Sequence, residues 1–330
     1  MPDLSIVIPT FNTASMTLRC CRAVLASMPD AAEVIVVDDG SSDGTAELLA
    51  REVPSVQVVR LESNRGFAPA ANRGVAATRG RIIVLLNSDA IVEEGALQAI
   101  LSAFDADPIL GVAGGRLLNE DGSPQWSGGR TPTLAWMIGV VSGAGHLARF
   151  FRSPGSRRKH RQECLCHKRS PMWHGQECLC HKRPPMWHRH SCLCSQRDID
   201  WVSGAAMAIR REVWEAAGPL DERYRFYCQD IDLCLRARKA GWRVAVVENA
   251  RVVHAIGGTV AGDNKLHHDP EKLWSDLLDW GTAHYGRRWS VVARPALVLV
   301  AWLRIAWSSV FRRGETGVLV RAARSLLERT

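Results

Sequence analysis

The chain has 330 residues, 46% hydrophobic and 23% charged, with 27 Gly and 15 Pro, a composition that excludes a disordered or collagen-like protein. At this length folding removes roughly three quarters of the unfolded chain's surface from water, so core size does not limit the fold. The net charge of +8 would point to a polyanionic partner such as nucleic acid, but twelve Lys or Arg against only Glu163 and Glu177 lie between Arg149 and Arg197, so one segment supplies the whole basic excess and nucleic acid is not expected as a partner.

In chain order, Leu4–Ile8, Glu33–Val37, Val56–Leu61 and Arg81–Leu86 are nearly continuous apolar runs, the pattern of strands covered on both faces. Between them the spacing predicts helices over Ser15–Met28, Gly44–Val53 and Ala68–Arg79, the second preceded by the cap-rich Ser41-Ser42-Asp43. Such repetition implies a parallel, doubly wound sheet whose ligands bind beyond the carboxyl ends of the strands. Two strands run out there into acid-rich turns, Asp38-Asp39-Gly40-Ser41-Ser42-Asp43 and Asn87-Ser88-Asp89. Either turn alone reads equally well as ordinary turn and cap chemistry. Two at one sheet edge place oxygen ligands where a divalent ion and a nucleotide could sit.

The pattern then breaks into a repeat. Gln162–Gly175 reads QECLCHKRSPMWHG, Gln176–Arg189 reads QECLCHKRPPMWHR, and a third copy decays after Cys194. Six of the ten Cys and six of the eleven His fall in this region, which invites a zinc reading. The CxC spacing and the near-identity of the copies favour a disordered, duplicated insertion instead.

Regular structure resumes with a buried strand over Asp200–Ile209, a short helix over Arg211–Ala217, an amphipathic helix over Asp230–Ala240 closed by Gly241, and a last strand over Arg243–Val247 ending near His254. Beyond Pro270 the chain reads as helical. Trp289–Phe311 is apolar but interrupted by Arg294, Pro295 and Arg304, and no uninterrupted run reaches the ~20 residues of a membrane span. Met1-Pro2-Asp3 carries no basic n-region, so a reducing, cytoplasmic compartment is expected.

Six segments carry a family resemblance: SIVIPTFN (Ser5–Asn12), VIVVDDGSSDGT (Val34–Thr45), NRGFAPAANRG (Asn64–Gly74), LLNSDA (Leu85–Ala90), DWVSGAAMAIRREVW (Asp200–Trp214) and YCQDIDLCLRARKAGW (Tyr227–Trp242). Together and in this order they resemble the family 2 glycosyltransferases of the GT-A fold, in particular the bacterial rhamnosyltransferase-like branch. The resemblance implies an α/β fold of the Rossmann-like GT-A type, a mostly parallel central sheet with flanking helices. It implies a nucleotide-sugar-binding half (1–150) and an acceptor and catalytic-base half (198–265), parted by the basic insertion (151–197); in the helical tail (266–330) Trp289, Trp302 and Trp307 with the neighbouring Arg residues fit a membrane-interfacial helix and equally a helix packed on the catalytic domain.

Transfer from a nucleoside diphosphate sugar displaces a diphosphate whose charge a divalent cation, Mg²⁺ or Mn²⁺, can offset. By resemblance Asp89 anchors that metal, with His254 as a second ligand. Asn87 stands where the DxD-like motif usually opens with Asp, and Ser88 lies between. The donor is expected to contact Pro9, Thr10, Asp38, Asp39, Asn64, Arg65, Gly66, Asn72, Asn87 and Ser88. Asp230 takes the place of the catalytic base, supported by Asp232 and by Gln229, where the family usually has Glu. On spacing alone, Asp230 and Asp232 also read as compensation of the helix dipole.

The expected activity is inverting transfer of a sugar, L-rhamnose by analogy, to a glycan or lipid-linked acceptor in cell-envelope polysaccharide synthesis. The expected location is the cytoplasm, peripheral on an anionic inner membrane face; oligomeric state stays open. The alternative is a catalytically impaired homologue that binds a partner through its Cys/His repeat, motivated by Asn87, Gln229 and the insertion.

Overall fold

The computed structural model describes residues 2–143, 196–255, 269–311 and 316–328. These fall into two units, one drawn from 2–130, 196–222 and 229–255, the other from 131–143, 223–228, 269–311 and 316–328. The repeat, and with it the expectation of disorder there, lies outside the described residues.

In the first unit the chain begins with β1 (Leu4–Thr10), α1 (Ala14–Ser27), β2 (Ala32–Asp38), α2 (Thr45–Glu52), β3 (Gln57–Arg60), α3 (Phe67–Ala76) and β4 (Ile82–Leu86). All seven residues of β1 and all five of β4 are buried, as continuous apolar runs covered on both faces require. β2 and β4 flank β1 in parallel register, and β3 extends the sheet beyond β2.

Two details tie helices to this half. Asp43 accepts N–H bonds from Ala14 and Thr45, so one carboxylate caps the first turns of α1 and α2. Gly74 lies against the sheet, where an added Cβ would stand 2.4 Å from Val7 Cγ1 and 2.8 Å from Val37 Cγ2. The small residues of α3 therefore serve close helix-to-sheet packing.

The chain continues through β5 (Ala90–Val92), α4 (Ala96–Ala106), β6 (Leu110–Leu118), β7 (Gly128–Gly129), α5 (Leu134–Ser142, in the second unit), β8 (Gln196–Asp198), β9 (Trp201–Val202), β10 (Ala206–Arg210), α6 (Arg211–Ala217), α7 (Gln229–Lys239) and β11 (Arg243–His254). The sheet order is β3-β2-β1-β4-β10-β6-β11-β5, with β8 beside β11. β10 runs antiparallel to both its neighbours and β5 antiparallel to β11, so the sheet is mixed and only mostly parallel.

The single strand expected over Asp200–Ile209 is two strands. Trp201–Val202 pairs with Gly128–Gly129 in a small second sheet, and the turn at Ser203-Gly204-Ala205 separates it from β10. The last strand runs on to His254 past a register shift between Val247 and Arg251. Gln196 and Arg197, counted with the insertion in the sequence, belong to β8. Arg243 anchors that strand through Gln196 and Asp198 and pairs with Asp107 at 2.6 Å.

The second unit packs α5, α8 (Pro270–Tyr285), α9 (Arg287–Phe311) and α10 (Thr316–Glu328) together. Asp269 caps α8 by accepting from the N–H groups of Glu271 and Lys272, with Pro270 in the first turn. Asp276, fully buried on α8, accepts backbone N–H bonds from Arg225, Phe226 and Tyr227.

The helix over Arg287–Ser309 is long and apolar enough to cross a membrane. Arg294, Pro295 and Arg304 interrupt the apolar run in the sequence without breaking the helix. Val292, Leu299, Leu303 and Trp307 on this helix are exposed.

Candidate active site

The ends of β1, β2 and β4 meet at one edge of the sheet, and a buried hydroxyl cluster joins those of β1 and β4. Thr10 Oγ1 lies 2.8 Å from Thr13 Oγ1 and 2.7 Å from Thr17 Oγ1, and Thr13 Oγ1 lies 3.1 Å from Ser88 Oγ. The Thr10 hydroxyl is thus spent on Thr13 and Thr17, and that of Ser88 on Thr13. Pro9 is buried in β1.

The acid pair after β2 divides its work. Asp39 accepts the backbone N–H groups of Arg65 at 2.9 Å and Gly66 at 2.8 Å. Burial pushes its carboxyl above the ordinary range, and those two donors partly offset the rise. Its carboxylate therefore holds the Asn64-Arg65-Gly66 loop in place. Asp38 is fully buried; Oδ1 accepts from Ser41 N–H at 2.9 Å, whereas Oδ2 has no hydrogen-bond donor among the described residues and faces Arg60 Nε at 3.7 Å. Gly40 takes a left-handed φ of +76°, and a Cβ there would stand 2.8 Å from the Ser63 backbone.

Asn64 and Arg65 are exposed at this edge. Asn72 is elsewhere in purpose: its amide bonds Leu220 O, Leu220 N and Glu222 Oε1, fixing α3 to the turn after α6. That turn is held again from α7, where Asp232 pairs with Arg236 at 2.7 Å and the guanidinium donates to the carbonyls of Ala217, Gly218 and Pro219. Asn72 and Asp232 therefore act on the scaffold, and Gln229 is buried at the start of α7.

Asp230 stands apart from its neighbours. Its Oδ2 accepts from Gly204 N–H at 2.9 Å and its Oδ1 from Ile231 N–H at 2.8 Å. Burial pushes the carboxyl up, against the lowering effect of those backbone donors. A raised pKa suits a residue that must take a proton. The next carbonyl along, Ala205 O, accepts from Asn87 N–H at 3.0 Å. One turn therefore links Asp230 to the loop that carries Asp89.

At that loop His254 Nε2 lies 3.3 Å from Asp89 Oδ1 and 3.2 Å from Asn87 Nδ2. Ala255 N–H also donates to Asp89 O. A carboxylate and an imidazole at this separation fit neighbouring positions around a hard octahedral cation, whose adjacent ligands stand about 3 Å apart for bonds of about 2.1 Å. No three His, Cys, Asp or Glu side chains converge to hold a metal among the described residues, so such a cation would keep open positions for water and phosphate oxygens. A cleft of about 350 Å³ opens against Asp89, with Met16, Ile91 and Val253 as apolar walls and Arg19 and Glu120 as charged ones. Sequence reasoning missed Gly204, Arg19 and Gln125, whose Oε1 meets His254 Nδ1 at 2.7 Å; only the fold brings these distant positions to the site.

Known proteins agree with this architecture. Residues 5–173 match the model of glycosyl transferase family 2, and the chain belongs to that family and is a glycosyltransferase. It is similar to the N-acetylglucosaminyl-diphospho-decaprenol L-rhamnosyltransferase of Mycobacterium tuberculosis, 25% identical over 279 residues and 80% of each chain. It is also similar to the succinoglycan biosynthesis protein ExoU of Rhizobium meliloti, 34% identical over 43% of each chain.

Among solved structures, a mannosyltransferase of Pyrobaculum calidifontis in complex with GDP-Man and Mn²⁺ aligns with TM-score 0.55 and 17% identity. The alignment covers 99% of this chain and 87% of that one. The fold is accordingly GT-A.

Proposed function

We propose that the protein is an inverting glycosyltransferase that moves a sugar, L-rhamnose by analogy with its mycobacterial relative, from a nucleoside diphosphate donor to a lipid-linked glycan acceptor in cell-envelope polysaccharide synthesis. The observation that carries this reading is the turn Ser203-Gly204-Ala205, which binds the Asp230 carboxylate through one residue and the Asn87-Ser88-Asp89 loop through the next.

In this reading Asp230 accepts the proton of the acceptor hydroxyl as its oxygen forms a bond to the anomeric carbon and the bond to the nucleoside diphosphate breaks on the opposite face, which inverts the configuration. Burial makes the carboxylate a better proton acceptor than a solvated one, and Gly204 N–H holds it in place. Asp89 and His254 would hold a divalent cation, Mg²⁺ or Mn²⁺, which when bound offsets the charge of the leaving diphosphate. Asp38 Oδ2, buried and without a donor among the described residues, would accept from the nucleoside once the edge opens to admit it, and Asp39 keeps the Asn64-Arg65-Gly66 loop at the same edge.

The exposed apolar side chains of α9 support peripheral contact with an anionic membrane face on the cytoplasmic side, where a lipid-linked acceptor is presented. The test is a panel of nucleotide sugars with Mn²⁺, read as a rise in thermal midpoint, followed by transfer to a polyprenyl-diphosphate sugar with the anomeric configuration of the product determined. A dTDP-rhamnose response with inversion is expected; retention of configuration overturns the mechanism.

A further inference from the structure

We infer that Gln125 is a positioning residue that sets the tautomer of His254, leaving a lone pair on Nε2 opposite Asp89 and thereby setting the affinity of the site for a divalent cation. The inference rests on the reading of Asp89 and His254 as the metal-holding pair, and its argument is a chain of hydrogen bonds whose direction is set at its far end.

That far end is Asp121, exposed in the turn after β6. Its carboxylate accepts both the hydroxyl and the N–H of Ser123, and these bonds hold its carboxyl below the ordinary range, so it stays an acceptor. With its proton given to Asp121, Ser123 Oγ can only accept from Asn119, whose Nδ2 lies 2.8 Å away. Asn119 must then turn Oδ1 the other way, toward Gln125 Nε2 at 3.0 Å. The Gln125 amide nitrogen has a second acceptor at 3.0 Å, the carbonyl oxygen of His254 itself. Two acceptors on one side fix which end of the amide is nitrogen.

Gln125 Oε1 is left facing His254 Nδ1 at 2.7 Å, so Nδ1 carries a proton, and in the neutral ring Nε2 then does not. On the other side of the ring Asn87 Nδ2 lies 3.2 Å from Nε2, a contact that a cation taking up that lone pair would displace. In that tautomer a carboxylate oxygen and an imine nitrogen face each other at 3.3 Å, a repulsion that a proton or a metal cation between them relieves. Outer partners of metal-binding histidines commonly act in this way, and their loss typically weakens metal affinity 10- to 100-fold.

Long-range ¹H–¹⁵N correlation on full-length, ¹⁵N-histidine-labelled protein at pH 8 without metal tests the first half, with His254 assigned from a His254→Gln variant. Mn²⁺ alone, titrated and followed by electron paramagnetic resonance, tests the second. The expected result is a Nδ1–H tautomer in the wild type, a mixture in Gln125→Leu, and Mn²⁺ affinity at least tenfold weaker in that variant with the thermal midpoint retained. Gln125→Glu keeps an acceptor opposite Nδ1 but turns its second oxygen toward Asn119 Oδ1 and the His254 carbonyl, so the Nδ1–H tautomer should return while Mn²⁺ affinity recovers only in part.

A wild-type Nε2–H tautomer, or a Gln125→Leu variant unchanged in both tautomer and affinity, overturns the inference. If His254→Ala binds Mn²⁺ as well as the wild type while the tautomer is as expected, the metal reading fails and the affinity half of the inference falls with it, a pattern distinct from failure of the Gln125 bond.

Discussion

The backbone N–H of Gly204 donates to Oδ2 of Asp230 across 2.9 Å, joining the turn before β10 to the first turn of α7. Because burial raises the Asp230 carboxyl, the active, ionised form is lost as pH falls through a value above the ordinary ~3.9 of aspartate. The acid limb of kcat/KM should therefore titrate above that value. Profiles measured from pH 4 to 9 check this; an acid limb at or below the value of free aspartate would contradict it.

Asp38 and Asp39 are adjacent in sequence and should separate in experiment. Asp39→Ala removes the acceptor of two backbone N–H groups and should cost about 1–3 kcal/mol of stability by denaturant unfolding. Asp38→Asn keeps the bond from Ser41, so the fold should hold while donor affinity falls about tenfold, about 1.4 kcal/mol, by calorimetry.

Asp232 and Arg236 form a latch over the turn after α6. Arg236→Ala takes this guanidinium away from a buried carboxylate and from three turn carbonyls, and a loss of about 3 kcal/mol is expected. Thermal and urea unfolding measure it. A loss of activity with stability unchanged would instead put this pair in the chemistry.

Leu303 and Trp307 are 62% and 66% exposed on α9. Replacing both by Glu should abolish sedimentation with anionic phospholipid vesicles while leaving transfer to a water-soluble acceptor intact. Binding that survives the double substitution would remove this helix as the membrane contact.

The strands of the nucleotide half were legible because buried parallel strands are continuous apolar runs; β1, β2 and β4 lie within two residues of their expected limits. The break at Ser203-Gly204-Ala205 was not legible, since its small residues read as continuous with the apolar run on either side. The same holds for the start of β8. Gln196-Arg197-Asp198 is polar and joins the sheet through backbone pairing with β11 and through Arg243, partners 45 or more residues away.

The motifs carry Asp38, Asp39 and Asp89 at the ends of β2 and β4, on one edge of the sheet, but do not divide their labour. Asp39, Asn72 and Asp232 match family positions, yet each is bonded to the scaffold, a fact decided by which N–H or guanidinium the fold brings near. Gln125 carried no sequence signal, because its meaning depends on His254, 129 residues on.

The central claim is that Asp230 is the base. The folded state holds its proton more tightly than the unfolded chain, so its ionisation opposes folding at neutral pH; the favourable contribution exists only below the unfolded value and is lost as pH rises through the folded one. Asp230→Asn keeps an acceptor for Gly204 N–H but gives up the one for Ile231 N–H, a loss set against relief of the buried charge, so the thermal midpoint should stay close to that of the wild type. The decisive measurement is the transfer rate of this variant beside its donor dissociation constant. The expected result is a rate at least 100-fold lower with donor affinity within about twofold of the wild type. Transfer within a few-fold of the wild type would contradict the assignment.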